Sequence, residues 1–432
     1  MKLRQNIFIK STFILILSGM ATKLLGLLIK IIYTRLVTTQ TIGLYALVLP
    51  TYSLLLTIAT FAMPTSIANL ISKSNNPKIL SNATIIIFVI NFLLIFIMFL
   101  VSPFIADNLL KNHDAYYLLI AMSLTLPFAS FACILKGYFY GKQKMFPHFI
   151  SNTIEQIIRL LLVIIVLPML IKISYIHAAV GLILTSFFTE LASIITFLCF
   201  MKKQDVIYLA KIKYEKKETL DILSLSIPSV SSRIVGNICY FLEPIFLTNI
   251  LLYIGYNSNF IINEYGIYNA YAISTLTIPS FFINAISLAL IPEISKNTHN
   301  IKFIKKRLKE AIFFALILGI FFTSTLFIFS KDILLLLYNT TLGNNYLKIL
   351  SFFFILFYLE NIFSSFMQAI GKNVATLKIT IISSIIKLVF LCILSFLKIG
   401  IYSLLISEII NIIIVVGLNG LYIKKYLKNI TS

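Results

Sequence analysis

The chain has 432 residues, 59% of them hydrophobic and only 12% charged, and its mean hydropathy is +0.98. Soluble domains run nearer to about 45–50% apolar and about 25% charged, so a water-soluble globular protein is excluded and a polytopic membrane protein remains. The 36 Lys+Arg against 15 Asp+Glu give a formal net charge of +21, which in such a chain reads as loop chemistry at a membrane surface; no nucleic-acid partner is implied.

A span takes about 20 apolar residues. Apolar windows between polar breaks predict twelve helices: 8–34, 43–71, 80–104, 115–139, 147–170, 177–201, 221–252, 266–294, 311–337, 346–370, 375–397 and 401–423. Helix 1 is too long for a cleaved signal peptide and carries Lys23 and Lys30 in its middle. Its Thr12, Gly19, Lys23, Gly26, Lys30 and Thr34 fall on one helical face. Pro50 in helix 2 and Pro127 in helix 4 loosen helices that have to bend, and Pro64 lies near the end of helix 2. Helix 5 holds His148, Asn152, Glu155 and Arg159, the last two an i, i+4 pair in the favourable order. Glu190 lies in helix 6, and a Lys-rich linker, 202–220, follows. Helix 7 repeats the pattern of helix 1 with Ser226, Ser229, Arg233, Gly236, Tyr240 and Glu243, and also carries Pro228. Helix 8 contains Pro279 and Pro292, and Lys302–Lys309 reads as a surface-lying cationic helix. Glu360, Lys387 and Glu408 lie in helices 10, 11 and 12.

The cations set the orientation. With cations at helix ends counted with the adjoining loop, twenty-five of the 36 fall on the N-terminus, the even-to-odd loops and the C-terminus, six on the opposite loops, and five (Lys23, Lys30, Arg159, Arg233, Lys387) deep inside spans. Both termini are therefore expected in the cytoplasm of a multi-pass cell-membrane protein. Anionic lipid heads are expected against the cytoplasmic lysines. The four cysteines, Cys133, Cys199, Cys239 and Cys392, all lie in apolar runs and read as packing residues.

The halves repeat. Ala21–Gly26 parallels Ser231–Gly236, Gly43-Leu-Tyr45 matches Gly266-Ile-Tyr268, and Ile71-Ser-Lys73 matches Ile294-Ser-Lys296. Gly141-Lys142 matches Gly371-Lys372, Ile157–Leu160 matches Ile385–Leu388, and Glu190 has a counterpart in Glu408. A repeat of six helices preserves topology, so the expected fold is all-α, with twelve transmembrane helices in two pseudo-symmetric lobes, 1–210 and 211–432, around a central cavity. A monomer is expected.

Ionisable groups inside spans default to functional hypotheses. Lys23, Lys30 and Arg233 would line a cationic cavity, with Arg159 and Lys387 as further candidates, and an anionic ligand, phosphate above all, suits such a lining. Glu155, Glu190, Glu243, Glu360 and Glu408 are candidates for ion coupling or for neutralising those cations. His113, His148, His177 and His299 are scattered, no metal-ligand spacing is present, and no GxSxG, Walker A or HExxH motif occurs, so the chain reads as a non-enzyme without a cofactor.

The run Lys136-Gly-Tyr-Phe-Tyr-Gly-Lys-Gln-Lys-Met-Phe-Pro147, continuing Ser151-Asn-Thr-Ile-Glu155-Gln-Ile-Ile-Arg159, closely resembles the helix 4–5 signature of the stage V sporulation protein B-like polysaccharide transporter family. That family belongs to the multidrug/oligosaccharidyl-lipid/polysaccharide flippase superfamily, of MATE/MOP-like fold. Lys23-Leu-Leu-Gly26, Gly43-Leu-Tyr-Ala46, Pro64–Ser72, Leu290–Ser295 and Gln368–Lys372 agree with it. The resemblance implies a flippase that turns polyprenyl-pyrophosphate-linked oligosaccharide or peptidoglycan precursor from the inner to the outer leaflet by alternating access, for cell-wall, spore-cortex or polysaccharide synthesis. Coupling would come from a proton or sodium gradient or from the membrane potential. Lipid II flippases carry Arg where this chain has Lys23, an Arg-Asp pair where it has Ile29-Lys30, and an acid near Gly43, so the sporulation branch fits better. The alternative is a cation-coupled multidrug exporter of the MATE type, which would want acidic rather than basic cavity residues.

Overall fold

The structure is a computed structural model that describes residues 2–74, 76, 78–210, 214–297 and 300–429, with side chains described from residue 17. Lys211, Lys213 and His299 lie outside the described residues, as do the side chains of Lys2, Arg4, Lys10, Thr12, Pro292 and Lys296. The chain divides into two compact units, Met1–Phe241 and Leu242–Ser432.

The first unit begins with α1 (Lys2–Leu36), α2 (Thr39–Thr60) and α3 (Met63–Ser74). It continues through α4 (Lys78–Phe104), α5 (Ala115–Gly141), α6 (Phe146–Ile165), α7 (Leu167–Ile171) and α8 (Tyr175–Phe200). The linker helix α9 (Lys203–Ala210) leads into α10 (Lys216–Tyr253), whose last residues enter the second unit. That unit has α11 (Ser258–Ile267), a π-turn at Tyr268–Ile273, α12 (Ser274–Thr277) and α13 (Ser280–Lys296). It closes with α14 (Ile301–Ile328), α15 (Ser330–Tyr338), α16 (Asn344–Ala369), α17 (Asn373–Ser395) and α18 (Tyr402–Asn429).

Eleven stretches among the described residues are helical, long and apolar enough to cross a membrane. The twelfth span, expected at 266–294, falls on the segment 258–296, which the π-turn and Pro279 break into three helices. Its start moves from residue 266 back to Ser258, where Asn257 caps the helix by accepting from the Asn259 backbone N–H at 2.8 Å. The cationic run 302–309 also differs from expectation. It is not a separate surface-lying helix but the opening turns of α14, with Ile304, Leu308 and Ala311 buried while Lys302, Lys306 and Lys309 stand exposed.

Two local devices shape the first unit. The second span is interrupted at Phe61 and Ala62, both left-handed (φ 47° and 50°) although neither is glycine. Pro64, lacking a backbone N–H, sits at the start of the new helix, where that absence costs nothing. The resulting α3 then lies directly on α5. A Cβ at Gly137 would come within 2.9 Å of Ile67 Cβ and 3.0 Å of the Pro64 carbonyl, and one at Gly141 within 2.8 Å of Ile71 Cβ. Gly137-x-x-x-Gly141 is thus a small-residue contact strip that lets two backbones touch. Around it Met63, Ile67, Ile79, Leu80, Tyr138, Phe139 and Phe197 form one buried cluster that also takes Leu209 of the linker helix.

Candidate functional site

Lys30 comes to a shared site because the face of α1 that carries it turns toward α6 and α8. Gly26 faces Gln156 of α6, a Cβ there lying in ordinary contact at 3.9 Å from Gln156 Oε1. The result is a cavity of about 160 Å³ inside the first unit, with Lys30 and Tyr33 on one side, Tyr45 on a second, and Gln156, Arg159 and Ser186 across from them. Two of the five intramembrane cations therefore share one small polar space. Lys23, two turns earlier, is exposed, and so is Arg233 on α10; neither lines this cavity.

Behind Arg159 stands a charge cluster. Its Nη2 donates to Glu155 Oε1 at 3.4 Å and to Thr189 Oγ1 at 3.1 Å. Glu155 Oε2 is also 3.9 Å from Lys136 Nζ, so one carboxylate serves two cations. Glu190 lies within electrostatic range of Lys136, Glu155 and Arg159, and leaves one carboxylate oxygen buried without a hydrogen-bond partner. Cations in the group (Lys30, Lys136, Arg159) outnumber the two acids. Below it, the buried His148 accepts at Nε2 from the Asn152 amide at 3.2 Å and meets the Tyr140 hydroxyl at 3.0 Å. Asn152 also donates to Ser18 Oγ at 3.3 Å, which ties α6 to α1.

The second unit holds a cluster of opposite balance. Lys387 Nζ on α17 lies 2.5 Å from a Glu243 carboxylate oxygen of α10 and 2.5 Å from one of Glu408 on α18. Glu360 on α16 is close enough to Glu408 for their charges to interact. Lys387, which has no partner on its own helix, thus finds two on others, and with Glu360 beside Glu408 the cluster holds three acids to one cation. The sequence aligned Arg159 with Lys387 and Glu190 with Glu408. Lys387 does pair with Glu408, whereas Arg159 pairs with Glu155 of its own helix and has Glu190 only within electrostatic range. The surplus charge is positive in the first cluster and negative in the second.

Lys136 is the residue that sequence reading missed. Counted by position it is one of the 25 topology cations, yet in α5 its side chain is only 19% exposed. The signal was present: the apolar run that precedes Lys136 continues past it to Tyr140, so the membrane-embedded helix does not end at the lysine.

Comparison with known proteins places this architecture. The family of polysaccharide biosynthesis proteins matches residues 8–298, and the MatE family matches residues 244–393. Stage V sporulation protein B of Bacillus subtilis (strain 168) is 29% identical over 396 residues, covering 88% of this chain and 76% of that protein. Among solved structures, an inward-facing multidrug resistance MATE family transporter of the MOP superfamily superposes with a TM-score of 0.74 at 15% identity, covering 95% of each chain. The lipid II flippase MurJ, in an inward closed conformation, gives 0.71 at 18% identity, covering 95% of this chain and 87% of that one. With its twelve membrane helices in two lobes and a family match over residues 8–298, the chain belongs to the polysaccharide biosynthesis protein family.

Proposed function

We propose that the protein is a membrane flippase that moves a polyprenyl-pyrophosphate-linked glycan from the cytoplasmic to the outer leaflet by alternating access. The observation that carries this reading is the pairing of Lys30 and Arg159 in one small cavity of the first unit. Arg159 is already shared with Glu155, whereas no carboxylate among the described residues lies within ion-pair distance of Lys30. An uncompensated ammonium inside a membrane protein calls for an anion, and a pyrophosphate brings charge and several acceptor oxygens together. Arg159 offers the planar fork suited to phosphate oxygens, and Gln156 and Tyr45 supply neutral donors beside it. Lys23 and Arg233, exposed outside the cavity, suit the approach of the lipid head rather than its final seat.

Both termini face the cytoplasm of the cell membrane in this reading, with anionic phospholipid heads against the exposed lysines at the start of α14. The second cluster, in which Glu243, Glu360 and Glu408 outnumber Lys387, suits coupling to a proton or cation gradient. That same acid surplus is what a cation-coupled exporter of the MATE type would use, and it is the observation favouring that second reading.

The test is a leaflet-accessibility assay in proteoliposomes with a polyprenyl-pyrophosphate-linked sugar. Lys30→Gln and Arg159→Gln are each expected to lower the flipping rate at least about tenfold, the order of one lost charge-assisted contact, while membrane insertion stays normal. Wild-type rates in both variants would overturn the cavity assignment. Export of a cationic dye, undiminished in those variants but lost in Glu408→Gln, would favour the exporter.

A further inference from the structure

A third site lies in the second unit, at the end of its bundle where α18 begins, opposite the C-terminus. A cavity of about 390 Å³ opens there, within the range of about 300–1,000 Å³ typical of small-molecule sites. Its polar and aromatic lining includes Glu264 of α11, Lys331 of α15, Asn344, Asn345 and Tyr346 at the start of α16, and Tyr402 of α18. The loop between α15 and α16 is bent by two left-handed residues, Asn339 (φ 56°) and Gly343 (φ 79°). A Cβ at Gly343 would come within 3.1 Å of Ile267 Cγ2, so the loop can lie flat against α11 only with glycine there.

The chemistry of the lining is mixed in a specific way. The rings of Tyr346 and Tyr402 meet edge to face, centroids 5.2 Å apart at 74°. The Tyr346 hydroxyl donates to Glu264, leaving the other carboxylate oxygen able to accept. Asn344 keeps its side-chain oxygen buried without a partner, and Asn345 presents an exposed amide that both donates and accepts. No side chain caps α16, and with the Asn344 N–H taken by the Thr341 carbonyl at 3.2 Å, the backbone N–H groups of Asn345 and Tyr346 add donors. A free anion entering here meets the Glu264 carboxylate, and a free cation meets the Lys331 ammonium. A polyol ring suits all of them: each hydroxyl is donor and acceptor at once, and the C–H faces of a pyranose lie against tyrosine rings.

We propose that this cavity binds an uncharged sugar ring, a hexose or N-acetylhexosamine, of the glycan carried by the lipid. The inference deepens the flippase reading and rests on it for the source of the sugar.

Soluble sugars test this without any transport. The full-length protein in lipid nanodiscs is titrated with N-acetylglucosamine trimer, maltotriose, the dipeptide D-alanyl-D-alanine and inorganic pyrophosphate, read by saturation-transfer NMR. Because the chain has no tryptophan, Tyr402→Trp adds a single fluorescent reporter as a second readout. Saturable binding of at least one sugar is expected, weakened about tenfold or more in Glu264→Gln and in Asn345→Ala, as for one lost hydrogen bond to a charged or buried group. Asn345 is exposed, so its variant keeps the test valid should Glu264→Gln fold poorly. No saturation by either sugar, saturation by the dipeptide or pyrophosphate instead, or wild-type affinity in a folded Asn345→Ala variant would overturn the proposal. Such a failure leaves the flippase reading standing, since that reading falls only with the leaflet assay.

Discussion

Lys387 and Lys30 are both cations within membrane helices, but their surroundings give them different duties. Lys387 is held at 2.5 Å by each of two carboxylates, and its side chain is only 14% exposed, so it belongs to the structure of the second unit as much as to any ion path. Removing one partner of a buried ion pair strands the rest and typically costs about 3–5 kcal/mol. Lys387→Gln should therefore unfold at a clearly lower temperature than wild type in detergent, while Lys30→Gln, which strands no acid, should unfold near the wild-type temperature. Adding Glu243→Gln to Lys387→Gln should recover part of the loss, because one of the stranded charges is then gone. Equal stability of Lys387→Gln and Lys30→Gln would refute this division of labour. Composition and spacing could find these residues, because ionisable groups stand out in apolar helices. They could not say which cations were neutralised, since the partners Glu243 and Glu408 are 144 and 21 positions away and meet Lys387 only through packing.

At the scale of elements, helix existence was legible and helix interruption was not. Hydropathy found the span around 43–71 from its apolar run, but the break at Phe61–Ala62 involves two residues with no preference for left-handed backbone, and only docking of α3 on the Gly137–Gly141 strip explains why it is tolerated. The linker 202–220 likewise read as a charged loop, yet it carries α9, fixed to the end of α5. Asp205 accepts from Lys142 Nζ at 2.8 Å and from the Tyr138 hydroxyl, and Lys142 lies 4.5 Å from the centre of the Tyr138 ring. Farther on, Lys78 meets Glu215 at 3.2 Å, and Asn82 accepts from the Glu215 backbone and the Thr219 hydroxyl. Burial alone would push the Asp205 carboxyl up, but the bonds from Lys142 and Tyr138 and the lysine charge outweigh it and hold it below its ordinary range. A carboxyl depressed in the folded state stabilises docking above its unfolded pKa, and that contribution is lost as pH falls through the folded value. Amide protection in α9, with the exchange rate corrected for its intrinsic pH dependence, should accordingly stay flat from about pH 8 to pH 5, loosening only below about pH 4, the unperturbed carboxylate region. Asp205→Asn should exchange faster across the whole interval. A gradual loosening of the wild type between pH 7 and 5 would count against this anchor.

For the molecule as a whole, in the flippase reading proposed above, the surplus of positive charge divides into a topology code and a few working groups, and two observations bear on the code. One is the alternation of lysine-rich and lysine-poor connections along the sequence; the other is eleven membrane-length helical stretches among the described residues plus the broken segment 258–296. A miscounted helix would invert every later connection, so agreement on twelve is a strong constraint on orientation. It also puts the proposed sugar cavity on the same face as His113, because Thr340 in the connection before α16 and His113 in the connection before α5 are separated by six spans. Gln143, after α5, and Lys372, after α16, share the opposite one. With the four native cysteines replaced, single cysteines at His113 and Thr340 should react with a membrane-impermeant maleimide added to intact cells. Cysteines at Gln143 and Lys372 should react only once the membrane is opened. Reaction of the Lys372 cysteine from outside, with Thr340 protected, would place the termini outside and turn the glycan cavity toward the cytoplasm. The cavity would then face the donor leaflet, where it would select the substrate before transfer instead of receiving the glycan afterward.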